Sequence, residues 1–186
     1  MKKHFLAFSL LAIAVITASF TVKHNAPQPK TVGERVTWYS WQEAMELNKT
    51  TPKKLLVDVY TDWCGWCKVM DKQTFPNDTI AAYLNKNFYC IKINAEMRDS
   101  VNFAGNTFVW VSPEQGGGRN GIHTLAYSLL DGKMSYPTIV YLNEKLERVI
   151  ISPGYKKPEQ LLPELRFTAE EIYRNKSWDE YMKQGK

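Results

Sequence analysis

Residues 55–68 read LLVDVYTDWCGWCK, and this stretch decides the fold. Its first six residues are rich in β-branched and apolar side chains, which predicts a buried strand of a parallel sheet. Two cysteines separated by two residues, Cys64 and Cys67, follow that strand at once. They are expected to open a helix that runs to about Gln73. A cysteine pair at such a strand-to-helix turn indicates redox chemistry.

The position of the two thiols determines what they can do. Free backbone N–H groups and the dipole at a helix N-terminus favour a thiolate, so the pKa of the first thiol falls below the value of about 8.5 for free cysteine. Cys64 can then attack a substrate disulfide, and Cys67 can resolve the mixed disulfide. The alternatives are a structural bridge or half of a zinc site. Zinc needs three or four protein ligands, whereas the domain has no second CxxC and only one histidine, His123, so no metal site is expected.

The rest of the folded part alternates helices and strands. Capping residues mark the helix starts, and apolar runs mark the strands. The order β–α–β–insert–α–β–β–α, with one helix in front, predicts an α/β fold whose sheet carries helices on both faces. The predicted elements are a helix capped by Ser40 and Glu43, a helix capped by Asn77, strands over residues 88–94, 138–142 and 148–151, and a last helix from Pro158 to about Arg174. Pro163 should disturb the first turns of that last helix, unless the helix starts at Pro163.

Residues 95–121 interrupt this alternation and are predicted to be an insert. They contain a strand-like piece from Thr107 to Val111 and three consecutive glycines at 116–118. The glycine run lacks the Gly-Lys-Ser/Thr ending of a phosphate-binding loop, so we interpret it as a flexible loop. After the insert, apolar residues from Ile122 to Leu129 have helical spacing.

Taken in order, these features resemble the thioredoxin superfamily. The resemblance covers about residues 36–173 and rests on the strand, the CGxC turn with its following lysine, Asp58 six residues before the first cysteine, and the segment Tyr136-Pro137-Thr138. It implies a thioredoxin fold, with a central mixed β-sheet flanked by helices and the insert placed before the cis-proline segment.

The resemblance also implies roles for individual residues. Cys64 would be the nucleophile and Cys67 the resolving thiol. Asp58 would help to move the proton of Cys67, with Lys92 beside that acid. Pro137, in a cis peptide bond, would present the preceding backbone to a bound substrate strand. The residues implied to bind substrate are Trp63, Gly65, Trp66, Tyr136, Pro137 and Gly154.

Three residues, Asp58, Cys90 and His123, could have either a functional or a purely structural role. Asp58 lies in an apolar strand, where a carboxylate is costly unless it is paired or protonated, and this favours a function. Cys90 lies within another apolar strand and is expected to be a buried core thiol. His123 begins a helix and is expected to lie at the surface or to cap that helix.

Two departures from the thioredoxin pattern bear on function. Trp66 stands where thioredoxin itself has a proline, so the potential of about −270 mV cannot be transferred, and plain thioredoxins lack the insert. The chain is more similar to the secreted thioredoxin-like proteins of bacteria.

We expect a thiol–disulfide oxidoreductase that reduces protein disulfides, using a membrane or soluble thiol as electron donor and no cofactor. A disulfide oxidase or isomerase, and a binding module whose dithiol is idle, are the alternatives.

The N-terminus has the features of an export signal. Lys2 and Lys3 precede an uncharged apolar stretch over residues 5–20. Residues 1–26 are predicted to be a signal peptide or an uncleaved inner-membrane anchor. Residues 27–35 are predicted to be a tether and residues 36–186 the thioredoxin-like domain. We therefore expect a periplasmic or otherwise extracytoplasmic protein.

The composition argues against other classes of protein. Hydrophobic residues make up 44% of the 186, which is enough for a core. The net charge is +5, but three of the lysines lie within the first 26 residues. Because no Lys/Arg run with interleaved aromatics is present, nucleic acid is not an expected partner. Membrane contact is expected only through an uncleaved N-terminal segment.

Overall fold

A computed structural model describes residues 35–184. The strands are β1 (Trp38–Tyr39), β2 (Lys54–Tyr60), β3 (Phe88–Asn94), β4 (Val101–Phe103), β5 (Asn106–Phe108), β6 (Trp110–Val111), β7 (Ile122–His123), β8 (Thr138–Leu142) and β9 (Arg148–Pro153). The helices are α1 (Trp41–Thr50), α2 (Gly65–Gln73), α3 (Asp78–Asn87), α4 (Thr124–Leu129), α5 (Pro158–Ala169) and α6 (Trp178–Gln184). Short 3-10 helices span Pro113–Gln115 and Ile172–Arg174.

A five-stranded mixed sheet with the order β1-β3-β2-β8-β9 forms the centre of the domain. Strand β2 runs parallel to β3, because the α2–α3 crossover joins them, and antiparallel to β8. Strands β8 and β9 form an antiparallel pair at one edge. This architecture confirms the predicted thioredoxin fold, with a central mixed sheet flanked by helices.

The two faces of the sheet are covered by different elements. Along β2, Leu55, Val57 and Val59 pack with α1, α4 and the insert. Leu56 faces the opposite side and packs with α2, α3 and α5. Asp58 shares the face of Leu56, since side chains alternate along a strand. The carboxyl group therefore lies under the helix that carries the two cysteines.

The predicted starts of two helices are confirmed. The Ser40 hydroxyl accepts a hydrogen bond from the Glu43 N–H at 3.2 Å, and the Glu43 carboxylate accepts one from the Ser40 N–H at 2.8 Å. The Asn77 side chain accepts hydrogen bonds from the first turn of α3. Such caps satisfy backbone donors that the helix itself leaves unpaired.

The insert differs from its prediction. The strand expected from Thr107 to Val111 is divided into β5 and β6, with Val109 between them. Val109 exchanges two hydrogen bonds with Thr124, each 2.9 Å long, and this ties its backbone to the start of α4 instead of to a strand partner. The helix predicted from Ile122 begins only at Thr124, because β7 pairs with β6. An unpredicted strand, β4, pairs with β5.

The C-terminal prediction was also wrong in one respect. The last helix was expected to reach Arg174, but α5 ends at Ala169. Glu171 has a left-handed backbone (φ 55°) that no α-helix can continue, and its carboxylate lies 3.1 Å from the buried ammonium of Lys54. A further helix, α6, follows. Pro163 lies inside α5, which begins at Pro158.

The predicted leader, residues 1–26, and all of the predicted tether except Arg35 lie outside the described residues. Within residues 35–184, no helix is both long and apolar enough to cross a membrane.

Candidate active site

The two cysteines form a disulfide at the N-terminus of α2. Cys64 is the N-cap residue of this helix, and its sulfur accepts a hydrogen bond from the Cys67 N–H at 3.1 Å. The bond joins Cys64 and Cys67 with their Cα atoms 5.3 Å apart. Both residues are buried. A thiolate on Cys64 would therefore lie where a helix N-terminus stabilises negative charge.

Two pairs of aromatic side chains flank the disulfide. Trp63 and Trp66 are 60% and 62% exposed, which is unusual for side chains of their size. Trp63 packs edge to face against Tyr136, with ring centroids 5.9 Å apart. Trp66 stacks on Tyr155 at 5.3 Å. The surface around the disulfide is thus rich in aromatic side chains and exposes two tryptophans to solvent. Sequence reasoning missed Tyr155, whose signal was its position directly after Gly154.

The proline segment lies on the same surface. The Tyr136–Pro137 peptide bond is cis, as the resemblance implied. The Gly154 N–H donates a hydrogen bond of 2.8 Å to the Pro137 carbonyl, and Gly154 has a left-handed backbone (φ 86°) suited to glycine. These residues, with Trp66 and Tyr155, line a cavity of about 340 Å³. Gly65, another of the predicted substrate-binding residues, lies between Cys64 and Trp66 in the exposed first turn of α2 and is not part of the lining of this cavity.

Tyr136 also lines a second cavity, of about 760 Å³. It is lined by Trp63, Glu96, Tyr127, Met134 and Tyr136, and by residues 116–122, which end the insert and begin β7. We call it the insert groove. Glu96 accepts hydrogen bonds from Trp63 (2.8 Å) and Asn120 (3.0 Å) through one carboxylate oxygen. The insert therefore contributes directly to the surface beside the disulfide.

Close packing fixes part of the insert. Gly121 has a left-handed backbone (φ 79°), and a Cβ atom there would lie 2.2 Å from the Trp110 ring. The guanidinium of Arg98 lies over the same ring, 4.1 Å from its centroid. Only glycine at position 121 allows this approach.

The buried Asp58 and the half-buried Lys92 form an ion pair. They are register partners in β2 and β3, and the Lys92 ammonium lies 2.7 Å from Asp58 Oδ2. Burial raises the pKa of Asp58, although Lys92 opposes the rise. The second oxygen, Oδ1, has no hydrogen-bond partner. Lys92 also contacts Asp71 on α2, at 2.5 Å, a residue that the sequence analysis did not single out.

Neither of the other candidate nucleophiles or bases joins this site. Cys90 is a buried core thiol, as predicted, and burial raises its pKa to about 12, so it stays protonated. His123 caps α4, since its Nδ1 accepts a hydrogen bond from the Leu125 N–H at 3.2 Å. The alternative that it lies at the surface is wrong, because the residue is fully buried. Within residues 35–184, no three His, Cys, Asp or Glu residues are grouped as a metal site would require.

The fold and the disulfide at the start of α2 define a protein of the thioredoxin-fold superfamily with a CXXC-type cysteine pair. Residues 28–122 match the family model Thioredox_DsbH, described as a protein of unknown function, DUF255. The chain belongs to this family. The matched range contains the disulfide, the Asp58–Lys92 pair and the whole insert.

Curated relatives share this region but are much longer. An uncharacterised Caenorhabditis elegans protein is 34% identical over 116 residues, which is 59% of this chain and 16% of that protein. Spermatogenesis-associated protein 20 of Mus musculus is 36% identical over 83 residues, 44% of this chain and 10% of that protein. This chain thus spans a small part of the length of either relative.

Solved structures show the same fold. A structure titled DsbH Oxidoreductase has a TM-score of 0.54 at 12% identity, covering 80% of this chain and 94% of that one. A thioredoxin-fold protein from Helicobacter pylori gives 0.53 at 18% identity, covering 83% and 86%. A putative disulphide-isomerase from Bacteroides thetaiotaomicron gives 0.51 at 24% identity, covering 76% and 97%.

Proposed function

We propose that this protein is a thiol–disulfide oxidoreductase that reduces protein disulfides outside the cytoplasm. The observation that carries the proposal is the position of the Cys64–Cys67 disulfide, at a helix N-terminus and between two exposed tryptophans beside a cis-proline segment. A structural bridge needs neither the open aromatic surface nor the helix end. The CXXC pair and the thioredoxin-fold neighbours support thiol–disulfide chemistry in general.

In the reduced protein, Cys64 acts first. Its thiolate attacks one sulfur of a substrate disulfide, so a bond forms between Cys64 and the substrate while the substrate S–S bond breaks. The departing substrate sulfur leaves as a thiolate and takes a proton from water. The N–H groups of the first turn of α2, among them that of Cys67, stabilise the attacking thiolate.

Cys67 then resolves the mixed disulfide. Its thiol loses a proton to a base, and its sulfur attacks the sulfur of Cys64. The Cys64–Cys67 bond forms, the bond to substrate breaks, and the substrate leaves with both of its sulfurs reduced. We assign the base to Asp58, which is buried on the face of β2 that α2 covers, carries a raised pKa and has one oxygen without a partner. Lys92 fixes its other oxygen.

The apolar surface supports an extended polypeptide as substrate. Tyr136 lines both cavities, so a chain lying across the cis peptide bond would contact Trp66 and Tyr155 on one side and the insert groove on the other. Gly154 forms part of the smaller cavity. A membrane-bound or soluble thiol would reduce the disulfide again after each turnover.

The proposed location rests on the sequence of residues 1–26, with its basic start and apolar stretch. Fractionation of cells that express the full chain tests it. Recovery from the extracytoplasmic fraction, lost when residues 5–20 are made polar, is expected. Recovery of the unaltered chain in the cytoplasm would contradict it.

Insulin reduction in the presence of dithiothreitol tests the activity. The wild-type protein should accelerate precipitation of the insulin B chain, and Cys64→Ser should abolish the acceleration. Cys90→Ser is the matched control, because it removes a thiol of the same protein that lies in the core. If folded, reduced wild-type protein gives only the uncatalysed rate with insulin and with small disulfides, the binding module with an idle dithiol is the better interpretation.

A further inference from the structure

One lysine ammonium is shared by two carboxylates that come from different elements. The Nζ atom of Lys92 on β3 lies 2.7 Å from Asp58 on β2 and 2.5 Å from Asp71 on α2. Asp71 follows Cys67 by four residues, one turn of the same helix. Lys92 therefore connects the buried carboxylate with the helix that carries the resolving thiol.

The exposure of the three side chains increases from Asp58 in the interior to Asp71 at the surface. The side-chain exposures are 3% for Asp58, 24% for Lys92 and 43% for Asp71. The ammonium also packs on aromatic rings, with centroid distances of 4.8 Å to Trp38 and 5.1 Å to Tyr60. Enclosed in this way, Lys92 has a fixed position between the two carboxylates. Burial alone would lower the pKa of Lys92, but the two carboxylates raise it, so the side chain stays charged.

We propose that Asp71 is a positioning residue for proton transfer, which shares Lys92 with Asp58 and so keeps Asp58 a competent base for the Cys67 proton. This rests on the proposed function. With Asp71 ionised, the three groups carry a net charge of about −1 before Asp58 accepts the proton and about zero afterwards. Without the Asp71 charge, the same step runs from about zero to about +1. Proton uptake by Asp58 is less favourable in the second case.

The other charged or titratable groups around Lys92 do not substitute for Asp71. Tyr60 stays neutral, because burial and then the charge of Asp62 raise its pKa. Arg35 lines the same 540 Å³ cavity as Asp71 and Lys92 from the segment before β1, and it is a cation. Asp58 and Asp71 are the two acids bonded to the Lys92 ammonium in residues 35–184. The alternative is that the Asp71 contact is a half-exposed ion pair that affects stability alone.

Titration of the Asp58 carboxyl by NMR distinguishes these alternatives. In the oxidised protein, Asp71→Asn should lower the midpoint of Asp58 by about 0.5–1 pH unit, because Lys92 then pairs with Asp58 alone. Lys92→Gln should raise the midpoint, since the cation is lost. Asp71→Glu should keep it near the wild-type value. Glu46→Gln is the control, because it removes a carboxylate from an exposed lysine pair on α1.

Stopped-flow kinetics with a symmetrical aromatic disulfide give the second readout. Reduced protein releases one aromatic thiolate when Cys64 attacks and a second when Cys67 resolves. Asp71→Asn should leave the first release unchanged, slow the plateau rate of the second by roughly two- to fivefold and move its acid limb to lower pH.

The results separate this inference from the proposed function. If the wild-type protein releases neither thiolate, the proposed function fails, whatever the titrations give. If the wild-type protein releases both but folded Asp71→Asn has the wild-type Asp58 midpoint and second phase, the role of Asp71 is refuted. Midpoint shifts of the same sign in Asp71→Asn and Lys92→Gln would refute it as well.

Discussion

The Trp63 indole donates a hydrogen bond to the carboxylate of Glu96, over 2.8 Å. Trp63 directly precedes the first cysteine, and Glu96 is the second residue of the insert. Asn120, near the other end of the insert, donates to the same carboxylate oxygen. The Glu96 carboxylate thus connects Trp63, next to the disulfide, with residues near both ends of the insert.

This connection predicts that residues 113–120 of the insert select among protein substrates. Replacing residues 113–120 with a short Gly/Ser link keeps the β6–β7 pairing and the buried Val101, and it removes residues 116–120 from the lining of the insert groove. The variant should reduce a small disulfide at nearly the wild-type rate, because the two cysteines are untouched. Its KM for polypeptide substrates should rise by about tenfold, equivalent to about 1.4 kcal/mol of lost binding.

A single substitution tests the same prediction with less risk of disturbing the fold. Asn120→Ala removes one of the two hydrogen bonds to Glu96 and should change the KM for polypeptides in the same direction, but less. Asn106→Ala, in the β4–β5 hairpin, is the matched control. Folded variants that keep the wild-type ranking of protein substrates would mean that the insert only packs against the core.

The buried carboxylate of Asp58 predicts a pH-dependent stability difference. Its pKa is raised in the folded state, so the folded protein binds this proton more tightly than the unfolded chain does. The stability that follows is fully present below the ordinary pKa of about 3.9 and is lost as the pH rises through the raised value. The Asp58→Asn variant has no carboxyl group at this position, so its stability does not fall with pH for this reason. Lys92 still has Asp71 as a partner in the variant.

Denaturant unfolding of the oxidised proteins measures this difference. The free energy of unfolding of Asp58→Asn, relative to the wild type, should increase by about 1 kcal/mol between about pH 4 and pH 8. Asn106→Ala, which removes no titratable group from the exposed β4–β5 hairpin, should show no such trend. Parallel curves for wild type and Asp58→Asn over this range would show that the Asp58 pKa is not raised.

The reduction potential of the Cys64–Cys67 pair distinguishes a reductase from an oxidase. A buried acid on the sheet face that the cysteine helix covers and the CGxC–Lys pattern resemble thioredoxin more than strong oxidants. Equilibration with glutathione or dithiothreitol buffers should give a value more negative than about −200 mV. Cys90→Ser should give the same potential, since Cys90 lies outside the site. A value near −120 mV, as in strong oxidants, would favour the oxidase alternative.

Local signals were enough to predict much of the sheet. Strand β3 has its predicted bounds, Phe88–Asn94, because a continuous apolar run between a capped helix and a polar loop leaves few alternatives. The cap residues Ser40 and Asn77 likewise act through neighbours three residues away or fewer. The pairing of Asp58 with Lys92 came from the family resemblance and is present in the structure.

The missed features depend on contacts between distant parts of the chain. Val109 leaves its strand because Thr124, fifteen residues away, takes its hydrogen bonds. Glu96 joins Trp63 across 33 residues, and no spacing rule indicates this pair. Asp71 is different, since its position one turn after Cys67 places it on the cysteine helix. Helical spacing could therefore have identified Asp71 as a neighbour of Lys92, the lysine that the family resemblance already places beside Asp58.

Trapping of mixed disulfides tests the central claim most directly, because it reports which sulfur attacks. Cys67→Ser should accumulate substrate proteins bound through Cys64, since the resolving thiol is absent. Cys64→Ser should trap far fewer, because the remaining thiol, Cys67, lies further along α2 than the N-cap position. The adducts are resolved on non-reducing gels and identified by mass spectrometry. Strong trapping by Cys67→Ser alone is the predicted result, and equal trapping by the two variants, or none by either, would contradict the account.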